Sequence, residues 1–232
     1  MERFRKSENT RPEWKIWQFF IILLATFSLT VFVTEIYHYF GYSDSAVNLI
    51  GYIFQSTCYF LFPCWIVCSY YKQPSSALGL KKIPFWSVLP RGIGYGFLLY
   101  LMVIVISMLV TNIFPYNRNM QDILELIVET KDMFFKTAYI LLVVVAAPVS
   151  EEVLFRGLFY SALKGRFGVI AAMVISAAVF AAMHLDPYAA IAYFFGGICL
   201  AYIYEKHHNL WYNIVAHATW NLIAVTLLLI FY

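Results

Sequence analysis

Two glutamates and an arginine stand inside one of the most apolar stretches of the chain. The segment PVSEEVLFRG, residues 148–157, follows AYILLVVVAA and runs into LFYSAL, so Glu151, Glu152 and Arg156 fall where the sequence otherwise reads as apolar helix. An ionised side chain inside a bilayer is costly unless it is paired or faces a wet cavity. Adjacent helical positions point about 100° apart, so the two carboxylates are expected to take separate roles. Glu152 and Arg156 are spaced i, i+4 with the acid on the N-terminal side, the favourable order for an ion pair. Arg156 also lies near enough to the basic turn that follows to reach toward it. Glu151 is left without a local partner. It either hydrogen-bonds to a neighbouring helix or serves as a general base. Pro148 removes a backbone N–H just ahead of it, which either kinks the helix or frees a carbonyl toward a cavity.

Two of the five histidines stand where they could meet Glu151. His184 ends FAAMH, and His217 shares a helix face with Asn221 in HATWN, while His38, His207 and His208 read as interfacial or solvated. If the chain folds back at KGRFG, residues 164–168, Glu151 and His184 lie about equally far from the turn, roughly 25 Å at 1.5 Å per residue. His217 is only about 13 Å from its own turn. It therefore meets them only if the first hairpin projects further or the helices tilt. A carboxylate, two imidazoles and an amide in a membrane cavity have three chemical readings. They are a water activated by Glu and His with an oxyanion site, a metal such as zinc on Glu151, His184 and His217, and an ion relay. There is no HExxH, and neither Ser150 nor Ser176 stands in a nucleophile motif.

The elements that must position these residues are membrane helices. Of the 232 residues 62% are hydrophobic and 12% charged, against about 25% charged in a soluble domain. The expected fold is all-α, a polytopic membrane bundle of seven or eight transmembrane helices. A span needs about 20 apolar residues. Candidates fall at 15–38, 46–70, 92–113, 134–160, 168–184, 188–204 and 210–231. Residues 1–14 form a basic tail, and 15–133 hold the N-terminal spans, a Pro- and Ser-containing loop and a charged amphipathic stretch. In that stretch Ile123, Leu126, Ile127 and Met133 recur at helical spacing, so it is expected to lie on the membrane surface. If it inserts, the count is eight. With seven spans, twelve Lys and Arg fall on the N-terminal side and three opposite, which puts the N-terminus in the cytoplasm. Gly92 and Gly96, four apart, suggest close helix packing. Cys58, Cys64, Cys68 and Cys199 lie in apolar runs and read as buried thiols.

EEVLFR at 151–156, FAAMH at 180–184 and HATWN at 217–221 resemble, in order and each on its own helix, the EExxxR, FxxxH and HxxxN motifs of the CPBP family of intramembrane endopeptidases, the CAAX proteases and bacteriocin-processing proteins. ALGLKK looks like a common family preamble. The resemblance covers about 134–231 and makes 134–232 a CPBP-type catalytic core. It implies that Glu151 and His184 activate water, that His217 and Asn221 bind the oxyanion, and that Glu152, Arg156 and Phe180 support them. Metal-free attack is favoured. The partners it implies are a lipid bilayer and a protein or peptide substrate, lipidated or membrane-embedded, with no nucleic acid. Compact loops and a basic N-terminus resemble bacterial members, hence a bacterial plasma membrane. The alternatives are a non-catalytic immunity or scaffold protein that keeps the motifs, and a transporter. Paired broken helices in two related halves would mark a transporter, and the sequence shows none.

Overall fold

A computed structural model describes residues 12–113 and 122–231. Within them the chain forms eight helices and no strand: α1 Ile16–Tyr39, α2 Asp44–Tyr70, α3 Phe85–Ile113, α4 Asp122–Glu129, α5 Met133–Phe167, α6 Val169–Met183, α7 Ala190–His207 and α8 Leu210–Phe231. All seven expected spans are helical. Five of the helices (α1, α2, α3, α5 and α8) are long and apolar enough to cross a membrane, whereas α6 is an apolar helix of 15 residues, about 22 Å. α7 ends in the polar run Glu205, Lys206, His207. Most of the basic tail, and Arg118 of the charge count, lie outside the described residues.

The amphipathic stretch is helical as expected but shorter, ending before Met133. α4 is only eight residues, about 12 Å, too short to cross. Ile127 is fully buried in a cluster with Leu49, Tyr139, Leu142 and Val225, so α4 packs on the bundle itself. Met133 does not belong to it. The Asp132 side chain accepts the Phe134 N–H at 2.8 Å and starts α5, leaving Met133 exposed.

α5 is the central post. Every residue from Val153 to Tyr160 is buried. Phe159 stacks on Phe19 of α1 with centroids 3.9 Å apart, and Phe155 meets Phe180 of α6 edge-on at 5.2 Å. Lipid tails are as apolar as these rings, so close packing rather than water exclusion holds them. The helix does not end within KGRFG as expected. It continues through Phe167, and the reversal is confined to Gly168, whose φ of +80° is unfavourable for other residues. The ALGL stretch wedges between α5 and α8: Leu78 is fully buried and the Gly79 carbonyl accepts the Leu210 N–H at 2.9 Å.

Gly92 and Gly96 are the close contact of α3 with α8. A Cβ on Gly96 would sit 2.5 Å from the Ala216 carbonyl oxygen. Gly96→Ala is therefore expected to push α8 away and destabilise the fold by about 1–3 kcal/mol, as overpacking does. Thermal unfolding in detergent or nanodiscs measures it. A neighbouring Gly94→Ala, where no atom lies within 4 Å of the added carbon, is the control. All four cysteines are free. His207 is not simply solvated: it is half-buried, hydrogen-bonded to the Tyr95 hydroxyl at 3.0 Å and stacked on Tyr212.

Candidate active site

The heights of the two hairpins decide whether the residues can meet. Leu210, the first residue of α8, packs against Gly157 of α5, its Cδ1 3.4 Å from where a Cβ would be. The part of α5 beyond Gly157 thus projects past the α7–α8 turn. From that shared level Glu151 is six residues up α5 and His217 seven residues up α8, both roughly 10 Å. His217 therefore reaches the depth of Glu151 because the first hairpin projects further, one of the two ways left open by the spacing.

Glu152 and Arg156 form the expected pair at 2.9 Å, both side chains fully buried. Arg156 does not reach toward the basic turn. Its second terminal nitrogen donates to the Gly197 carbonyl at 3.1 Å, and its guanidinium lies 4.7 Å from the centroid of the Phe180 ring. A buried guanidinium takes fixed acceptors and an aromatic face when they are at hand. Glu152 then accepts two more donors. His217 Nδ1 lies 3.0 Å from Oε1, and Asn213 Nδ2 lies 3.2 Å from Oε2. The same Asn213 amide donates to the Leu200 carbonyl at 2.6 Å. Sequence reasoning missed Asn213, yet a signal was present: Asn213, His217 and Asn221 recur every four residues on one face of α8.

Both imidazoles are tied at Nδ1. In His184 it lies 2.8 Å from the Phe180 carbonyl oxygen. A carbonyl only accepts, so Nδ1 carries the hydrogen and the neutral ring offers an acceptor at Nε2. In His217 the Glu152 carboxylate holds the Nδ1 hydrogen, and Nε2 lies 3.9 Å from Glu151 Oε2. That is too long for a direct hydrogen bond. Glu151 Oε2 is buried and has no hydrogen-bond partner among the described residues. The two carboxylates, expected to act separately, flank opposite nitrogens of one ring.

Asn221 is held by the backbone break that Pro148 makes. α5 widens to a π turn at Leu142–Ala146, and the Ala147 N–H bonds to the Leu142 carbonyl five residues back. The next donor in that register would be Pro148, which has no N–H. Its acceptor, the Val143 carbonyl, instead takes the Asn221 amide at 2.8 Å. One N–H of that amide is thereby used and the other remains. Asn221→Leu should cost about 1–3 kcal/mol by leaving that carbonyl unsatisfied. The loss should shrink when Pro148→Ala is added, because the backbone donor returns. A double-mutant cycle of unfolding free energies measures this, and strict additivity would contradict it.

Glu151, Ser150, His184, His217 and Asn221 all line one cavity of about 210 Å³, closed on one side by Ile123 and Leu124 of α4. Ser150 donates to the Ala147 carbonyl, and Ser176 is buried on α6. As placed, no three His, Cys, Asp or Glu side chains among the described residues stand close enough to share a metal ion. In this arrangement Glu151, His184 and His217 do not converge as a three-ligand metal set.

Residues 133–223 match the Rce1-like family, described as type II CAAX prenyl endopeptidase Rce1-like. That segment is similar to the CPBP/CAAX proteases. The segment runs from the start of α5 into α8 and contains all seven motif residues. A curated relative, "Putative membrane peptidase YdiL" of Bacillus subtilis (strain 168), is 28% identical over 81 residues, which is 35% of this chain and 33% of that protein. The match thus spans about a third of the relative's length. No solved structure matches significantly. Its five long apolar helices, together with this similarity to a membrane protease family, support an integral membrane protein.

Proposed function

We propose that the chain is an intramembrane endopeptidase hydrolysing peptide bonds of a membrane-associated or lipidated protein or peptide. The observation that carries this reading is the partnerless Glu151 carboxylate oxygen in one cavity with two imidazoles, each anchored through Nδ1 and presenting Nε2. A water between them would donate to Glu151 and to His184 Nε2. Glu151 takes the proton as the water oxygen attacks the carbonyl carbon. The oxyanion forms beside His217, protonated at Nε2 with Glu152 behind it, and beside the second Asn221 N–H. Glu151 then returns the proton to the leaving amine as the carbonyl re-forms and the C–N bond breaks. No metal is required by these steps. The proposed setting is a bacterial plasma membrane with the N-terminus in the cytoplasm.

One observation also favours a non-catalytic immunity or scaffold role: the Arg156–Glu152–Asn213–His217 network is buried and would stabilise the fold whether or not anything is cut. Comparing cellular peptides by mass spectrometry in wild type and Glu151→Ala separates the two. An endopeptidase leaves at least one cleavage product present in wild type and absent from the variant. Identical peptide sets at equal protein abundance would reject the proposal.

A further inference from the structure

The wall of the cavity facing the motif residues comes from α2, outside the matched segment. Tyr52, Gln55, Ser56 and Tyr59 all line it. They are spaced i, i+3, i+4 and i+7, one face of a helix. The other residues of α2 at this depth include Ile53, 48% exposed, Phe54, and Thr57, whose exposed hydroxyl is spent on the Ile53 carbonyl at 2.7 Å. An amide and three hydroxyls concentrated on one face of a spanning helix mark the side turned from lipid toward a wet or polar space. α2 packs directly against the part of α5 that carries Glu151.

These four groups share one chemistry. Each is neutral, and each can both donate and accept hydrogen bonds. A peptide entering a cavity at membrane depth brings N–H and C=O groups that are costly to leave unpaired. A neutral donor–acceptor wall satisfies them without favouring any charged side chain. From Tyr52 to Tyr59 the helix rises about 10 Å, the length of about three residues of extended chain at 3.3 Å each.

We propose that the Tyr52–Gln55–Ser56–Tyr59 face of α2 is a substrate subsite that binds the extended backbone of the residues flanking the scissile bond. This rests on the endopeptidase reading. The test uses the full chain in nanodiscs and two probes, an internally quenched farnesylated CAAX peptide and its unlipidated counterpart. Gln55→Leu should raise KM about tenfold with kcat within about twofold, and Tyr52→Phe, which loses only a hydroxyl, should raise it about threefold. Probe affinity for the inactive Glu151→Gln protein should fall about tenfold when Gln55→Leu is added. Ile53→Ala, on the lipid side, should change neither. Unchanged KM and affinity in both the Gln55 and Tyr52 variants, or a loss of kcat at constant KM, would overturn the subsite. A wild type that binds the probe without cutting it overturns the endopeptidase reading, and affinity alone then judges the α2 face.

Discussion

Glu151→Gln should yield a protein that folds and inserts normally but hydrolyses peptide about 10²–10⁴-fold more slowly, the usual worth of a positioned general base. The side chain keeps its size and its capacity for hydrogen bonding, so the cavity with His184 and His217 is preserved. What is lost is a site that can hold the water's proton. The fold should be spared because Glu151 Oε2 makes no hydrogen bond within the described protein, unlike its neighbour Glu152. Single-turnover cleavage, with KM measured alongside, checks this. A variant with wild-type kcat would remove Glu151 from the chemistry.

Arg156→Leu should act in the opposite way and destabilise the protein by about 3–5 kcal/mol, because it strands a fully buried carboxylate. Glu152 would retain His217 and Asn213 as donors but lose the permanently charged Arg156 guanidinium. Adding Glu152→Met should recover most of the lost stability, since replacing both members of a buried pair with apolar groups is often neutral. It should not recover activity, because His217 Nδ1 then has no carboxylate behind it. Unfolding and cleavage measured on the single and double variants separate the two effects. Recovery of both would show that Glu152 contributes only to the fold.

The two predictions differ because two adjacent glutamates have different surroundings, and part of that difference was legible in the chain. Spacing alone paired Glu152 with Arg156 and left Glu151 without a partner, since i, i+4 geometry is a property of any helix. The spacing of apolar runs likewise located each long helix, because a bilayer sets a minimum length for whatever crosses it. The motif order in EEVLFR, FAAMH and HATWN named the residues that line one cavity. Local patterns failed where a partner came from afar. Nothing near Arg156 signals the Gly197 carbonyl or the Phe180 ring. Nothing near α4 shows that Ile127 is covered by Tyr139 and Val225 rather than by lipid.

The sequence by itself thus determined an all-helical membrane protein, the Glu152–Arg156 pair, and the matching depth of Glu151 and His184. Those follow from periodicity and helical rise, which act within a segment or across one turn. Only the tertiary structure decided that His217 reaches the same level, that Glu152 also grips His217 and Asn213, that Asn221 caps the carbonyl freed by Pro148, and that α2 supplies the opposite wall. Each of these depends on how far one hairpin slides past another. That offset is set by contacts such as Leu210 on Gly157 and Ala216 on Gly96, between residues far apart in the chain, where no periodicity can record it.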